Sequence, residues 1–148
     1  MKFETHIVVS TCVSGALYAV FRSWELALSA WIAGVLVDLD HVPDYLIQFG
    51  PRLDIPRFFN SFPEGEYNRI FILLHAWEWL PIMLAVSWVT GWNPWLLGWL
   101  VGHSQHMILD QVGNRAGMFT YFLLFRARNR FVSRKCFREY PRNGIEDR

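Results

Sequence analysis

Charge is scarce in this chain. Asp, Glu, Lys and Arg make up only 18% of its 148 residues against 53% hydrophobic, with eight Trp and twelve Phe. That apolar content exceeds what the core of a small soluble domain needs, so membrane association is expected. The net charge of +1 provides no electrostatic footprint for nucleic acid. Cysteine is scarcer still. Cys12 and Cys136 are far apart and form no C-x-x-C, which excludes a disulfide framework and a thiolate zinc site and leaves two free thiols. Internal repeats and low-complexity runs are absent. Residues 7–21 have the apolarity of a signal-peptide core, but only Lys2 precedes them and no A-x-A site follows; they are expected to be retained.

What charge there is has an uneven distribution. Residues 126–148 carry eight Lys/Arg against three Asp/Glu, and residues 1–125 carry six against ten. The expected organisation is therefore a helical domain over 1–125 and a basic C-terminal tail over 126–148, the tail favouring the cytoplasmic face of a membrane.

Apolar stretches of helical length fall at 7–21, 24–38, 70–90 and 94–112, with a weaker one at 117–127. Their length favours helix over strand. Ser23, with Glu25 two residues on, reads as an N-cap, and Asn93-Pro94 as a cap followed by a first-turn proline. A Pro/Gly-rich loop is expected over 49–69, with one short helix from Ile55. Pro81, inside the third stretch, predicts a kink. Crossing a bilayer takes about 20 apolar residues, so the third and fourth stretches are the expected spans and Trp88, Trp92, Trp95 and Trp99 an interfacial belt. Gly98 and Gly102 match a small-xxx-small helix-packing pattern.

All five histidines lie beside a carboxylate or another histidine, in or at the ends of these stretches: Glu4-Thr5-His6, Asp38-Leu39-Asp40-His41, His75-Ala76-Trp77-Glu78, and His103-Ser104-Gln105-His106 followed by Asp110. Imidazole and carboxylate are ligands that zinc, manganese and iron accept, and burying such groups unpaired costs several kcal/mol each. Hairpin register brings them together. A turn near Trp92 sets Glu78 opposite His106, and His75 opposite position 109, beside Asp110. A turn between Arg22 and Ser23 sets His6 opposite Leu39, between Asp38 and Asp40. His103, His106 and Asp110, spaced i, i+3, i+7, share one face of their helix, and His75 and Glu78 share another. The expected fold is all-α, two antiparallel helical hairpins packed as a four- to five-helix bundle with the ligands toward one end.

The ligand candidates are His6, Asp38, Asp40, His41, His75, His103, His106 and Asp110. Eight of them suit two divalent ions better than one, since a zinc site commonly uses three or four protein ligands. Glu78 is the candidate general base, with a ligand role as its alternative. A bis-histidine haem on His75 and His103 or His106 is a competing reading, against which the carboxylates stand. Non-catalytic metal binding is another.

His6, the run Asp38-Leu39-Asp40-His41, His75, and His106 with Asp110 resemble, in order and spacing, the small bacterial inner-membrane-associated family described as metal-dependent hydrolases (domain of unknown function 457). More distantly the arrangement is similar to the zinc-dependent phospholipase C and P1 nuclease group. The family has a proline where this chain has Val37, and a second histidine in its H-R-G-x-x-H-S stretch where this chain reads His75-Ala76-Trp77-Glu78-Trp79; Glu78 or His103 is available for that place. The resemblance implies an all-helical membrane-associated protein in which a metal-activated water attacks an ester or phosphoester, the substrate being a small molecule or a membrane lipid.

Overall fold

The computed structural model describes residues 3–61, 66–114 and 117–137. Helix α1 (Phe3–Phe21) meets no proline before Arg22, which takes φ 53° and turns the chain back. Ser23 then caps α2 (Trp24–Leu36), its side-chain oxygen accepting the Leu26 amide at 3.2 Å, as expected. The helical run does not stop at Leu36. A 3-10 turn over Val37–Asp40 leads into α3 (His41–Phe49), and α4 (Ile55–Ser61) follows within the expected loop. After α5 (Trp79–Val89), Gly91 and Trp92 adopt positive φ, Asn93 accepts the Trp95 amide at 3.0 Å, and α6 (Pro94–Gly113) begins. Two short helices, α7 (Leu123–Arg128) and α8 (Ser133–Cys136), complete the described chain.

The result is an all-α bundle. α1 and α2 form one antiparallel hairpin and α5 and α6 the other, with α2 packed most extensively on α6. Gly98 and Gly102 are the reason for that contact. A methyl group at Gly98 would overlap the Leu26 carbonyl, and one at Gly102 the Ala30 carbonyl. The small-xxx-small pair thus seats α6 directly on the backbone of α2.

Several expectations about the third stretch are corrected. Residues 70–78 are not helical; only the 11 residues of α5 are, so Pro81 lies in the first helical turn, where it breaks no hydrogen bond and makes no kink. At 1.5 Å per residue α5 is about 17 Å long, too short to span a bilayer. Among the described residues, the helical runs long and apolar enough to cross a membrane are instead Phe3–Phe21 and Trp24–Phe49, near the N-terminus, and α6, the fourth stretch, is not one of them. The weak 117–127 stretch is helical only from Leu123.

Residues 66–72 and 131–133 lie side by side: the Ile70 amide donates to the Phe131 carbonyl at 2.9 Å, and the Ser133 amide to the Asn68 carbonyl at 3.1 Å. Arg126, at the start of the stretch read as a basic tail, is fully buried. Residues 138–148 of that stretch lie outside the described residues. Beneath the loop, Tyr45, Tyr67, Ile70, Ile72, Met107 and Tyr121 form a buried cluster that closes one end of the bundle.

Gly102→Val should abolish or severely weaken folding, and Gly102→Ala should cost about 1–3 kcal/mol, because the opposing atoms are backbone and cannot rotate away. Gly15→Ala, in α1 with nothing within 4 Å of the added carbon, should be neutral or stabilise by up to about 1 kcal/mol. Denaturant unfolding of the three variants checks both signs.

Candidate metal centre

Loop 70–78 is held by side chains rather than by a backbone ladder. Asp44 accepts the amides of Phe71 at 2.7 Å and Ile72 at 3.1 Å. Asp40 accepts the amides of Leu74 at 2.6 Å and His75 at 3.3 Å. From the other side Arg126 donates to the carbonyls of Ile72 at 3.0 Å and His75 at 2.8 Å. Charge-assisted bonds of this kind are the strong ones, and together they explain why an apolar stretch of helical length is not helical.

The loop delivers His75 to the bundle end. Its Nδ1 lies 3.4 Å from Asp40 Oδ2, which directs Nε2 inward. On α6, His106 Nδ1 lies 2.9 Å from the Gly34 carbonyl and is fixed as a donor there, so its Nε2 also points inward. The two Nε2 atoms face each other across 3.1 Å in a fully buried position. With both Nδ1 atoms protonated, two lone pairs meet; a proton or a cation must lie between them.

Carboxylates complete the site. Asp38 Oδ1 is 3.5 Å from Nε2 of both His75 and His106 and 4.0 Å from His41 Nε2. Asp110 Oδ2 is 3.5 Å from His75 Nε2, and its Oδ1 is 3.1 Å from His6 Nε2. The His6 ring stacks on His106 with centroids 4.0 Å apart, and its Nδ1, buried, has no hydrogen-bond partner. Two groups result, each with its ligand atoms within 4.8 Å of one another: His6, Asp38, His106 and Asp110, and Asp38, His41 and His75. Each is able to chelate one divalent ion, and Asp38 is common to both.

The structure thus brings together six of the eight residues the sequence nominated as ligands. Asp40 stands behind His75 and orients it. His103, also buried, belongs to neither group; its Nε2 has no hydrogen-bond partner. Glu78 does not face His106. Its carboxylate accepts the amides of Leu123 and Leu124, each at 3.0 Å, and supports the start of α7. Burial opposes ionisation of Glu78, but these two amides outweigh it and hold its carboxyl below the usual range. The register that paired Glu78 with His106 assumed a helix through 70–78, and the side-chain clamp on that loop removes it.

Asp44 and Arg126 were not anticipated. Asp44 follows Asp40 at i+4, a spacing that would have flagged it; Arg126 sits in a basic run without any distinguishing signal. Comparison with protein-family models, curated proteins and solved structures finds no match for this chain.

Burial lowers the proton affinity of His75, but Asp110, Asp38 and Asp40 outweigh it and push its imidazolium up from 6.5 to about 10. Without metal, His75 is therefore doubly protonated at neutral pH, and zinc has to displace the Nε2 proton. Zinc binding at pH 7 should release about one proton, with affinity rising about tenfold per pH unit until His75 titrates. Calorimetry in buffers of differing ionisation enthalpy measures this, and heats independent of buffer would mean the lone pair is already free. Separately, Glu78→Ala should cost about 1–2 kcal/mol of stability through two lost acceptor bonds while leaving metal content unchanged by elemental analysis.

Proposed function

We propose that this protein is a membrane-associated, metal-dependent hydrolase of phosphoester or other ester bonds. The observation that carries the reading is the pair of buried imidazole Nε2 atoms 3.1 Å apart, flanked by carboxylates in two groups that share Asp38. Two ions held by groups with a common carboxylate are the arrangement that phosphatases and nucleases use on an in-line displacement. The resemblance of His6, Asp38-Leu39-Asp40-His41, His75 and His106-Asp110 to the bacterial inner-membrane family points the same way.

When bound, divalent ions, zinc first and manganese or iron as alternatives, supply Lewis acidity and an activated water. The chain's residues do the rest. His6, His106, Asp110 and Asp38 hold one position and Asp38, His41 and His75 the other. Asp40 keeps the His75 proton on Nδ1 and so preserves Nε2 as an electron-pair donor, and the Gly34 carbonyl does the same for His106. The buried aromatic cluster under loop 70–78 excludes water from behind the site. The bilayer association rests on the scarcity of charge and the two N-terminal apolar helical runs, and the bacterial inner membrane on the family resemblance, with the basic segment cytoplasmic.

A bis-histidine haem on His75 and His106 gains no support: both are fully buried and nearly in contact, which leaves no space for a macrocycle between them.

Purified protein should carry zinc or manganese by elemental analysis and show chelator-sensitive turnover of phosphomonoesters, phosphodiesters or carboxylic esters. His106→Ala and Asp110→Asn should each lose most of the metal and at least a hundredfold of that turnover, roughly the scale of removing a metal's contribution to charge stabilisation. Full metal content in both variants would sink the ligand assignment. Bound metal without turnover on any ester would leave a non-catalytic metal protein.

A further inference from the structure

The metal centre is closed on most sides. His6, His75 and His106 are fully buried and Asp110 nearly so, whereas Asp38 and His41 keep 19% and 20% of their side-chain surface. Those two mark the mouth. The chain around it is apolar and faces outward: Leu39, between Asp38 and Asp40, is 59% exposed, and Leu36, Leu73 and Leu74 are exposed as well. The 2.6 Å bond from the Leu74 amide to Asp40 holds the 36–39 and 73–74 stretches at one rim. Residues 23–51 and 70–114 contain no Lys or Arg, so the stretches that border the mouth offer apolar side chains and no cationic ones.

A second observation concerns the bundle below the mouth. Residues 5–21, 26–37 and 79–109 contain no Asp, Glu, Lys or Arg, and large apolar side chains including Val8, Val20, Leu28, Ile82, Leu84 and Val89 are exposed there. At the far end Trp24 meets Trp95 edge to face, centroids 5.4 Å apart. Along α6 the distance from Pro94 to Asp110 is about 24 Å at 1.5 Å per residue, a large part of the ~30 Å hydrocarbon thickness of a bilayer. Immersing the charge-free section therefore brings the ionisable cluster to the headgroup boundary.

Resting on the hydrolase reading above, we infer that the substrate is a membrane lipid phosphoester, its phosphate presented at the mouth formed by Asp38 and His41 and its acyl chains lying over Leu36, Leu39, Leu73 and Leu74. In the reaction, the oxygen of water bonds to phosphorus as the bond from phosphorus to the leaving alcohol oxygen breaks. The alcohol departs with one of the water's protons, and no redox partner takes part.

The test uses the full chain, loaded with zinc or manganese and reconstituted in phosphatidylcholine vesicles. Two matched pairs are compared: dioleoyl phosphatidic acid with glycerol 3-phosphate, and dioleoyl phosphatidylglycerol with glycerophosphoglycerol. The lipid member of at least one pair should be hydrolysed with a kcat/KM about a hundredfold or more above its soluble partner, the scale expected from burying a few methylenes. Leu39→Asn combined with Leu74→Asn should lower that ratio about tenfold or more at unchanged metal content, because both side chains are exposed and neither supports the core. A nitroxide on Leu39→Cys, in a Cys12→Ser background, should report headgroup-level depth from its relative accessibility to oxygen and a nickel chelate. Equal turnover of soluble and lipid members, a ratio unmoved by the leucine replacements, or a fully water-exposed nitroxide would overturn the lipid assignment and leave the hydrolase reading standing. No chelator-sensitive turnover of any of the four would overturn the lipid assignment, and none on any phosphomonoester, phosphodiester or carboxylic ester would overturn the hydrolase reading as well.

Discussion

The close approach of α2 and α6 is the contact on which the site depends. Gly98 and Gly102 present bare backbone to the carbonyls of Leu26 and Ala30, and two helices without intervening side chains reach a separation that larger residues forbid. One turn further on, that proximity lets His106 bond the Gly34 carbonyl, and at the end of α2 it brings Asp38 within 3.5 Å of His106 Nε2. Gly34 serves the same geometry from the opposite helix, since a side chain there would run into Ser10, whose hydroxyl bonds Gln105 at 3.1 Å. Interhelical spacing thus determines ligand spacing.

A different device supplies the remaining histidine. Loop 70–78 has few backbone partners of its own, and it is shaped by two carboxylates from α3 and its preceding turn and by one guanidinium from α7. Burying Arg126 and Asp44 is costly unless the bonds they make are well formed. What they secure is a single orientation of His75, with Asp40 bonded to the ring as well as to the backbone. An imidazole held at both Nδ1 and its own amide loses little freedom when its Nε2 is engaged, which is how outer partners raise the affinity of a metal ligand. Because the ligands come from α1, the turn after α2, α3, loop 70–78 and α6, an ion held among them couples binding to the stability of the whole bundle end.

Polarity is divided along the bundle axis. Ionisable groups collect at the end that α3 and loop 70–78 close, while the helices between that end and the tryptophans of the two turns are devoid of charge. A water-surrounded bundle of this size normally covers its outer faces with Lys and Glu. Here those faces carry Val, Leu, Ile and Trp, and α5, though only 11 residues long, adds to the same apolar surface.

Much of this was legible in the chain because it depends on local pattern. The helical stretches, the Ser23 and Asn93 caps, the small-xxx-small pair on α6, and the grouping of His6, Asp38, His75, His106 and Asp110 all follow from spacing and residue chemistry, and periodicity is preserved when a helix forms. What the sequence did not reveal lies where side chains overrule propensity. Residues 70–78 have the composition of a helix, yet the carboxylates of Asp40 and Asp44 and the guanidinium of Arg126 arrive from positions 27 to 54 residues away and take the backbone groups a helix would use for itself. That substitution moved Glu78 out of the cluster, made Asp40 an orienting partner of His75, and drew Arg126 from an apparent tail into the core. The sequence by itself determined which residue types gather and at which end; the tertiary structure decided which of them face one another, because long-range charge-assisted bonds, and not local periodicity, direct the loop that carries His75.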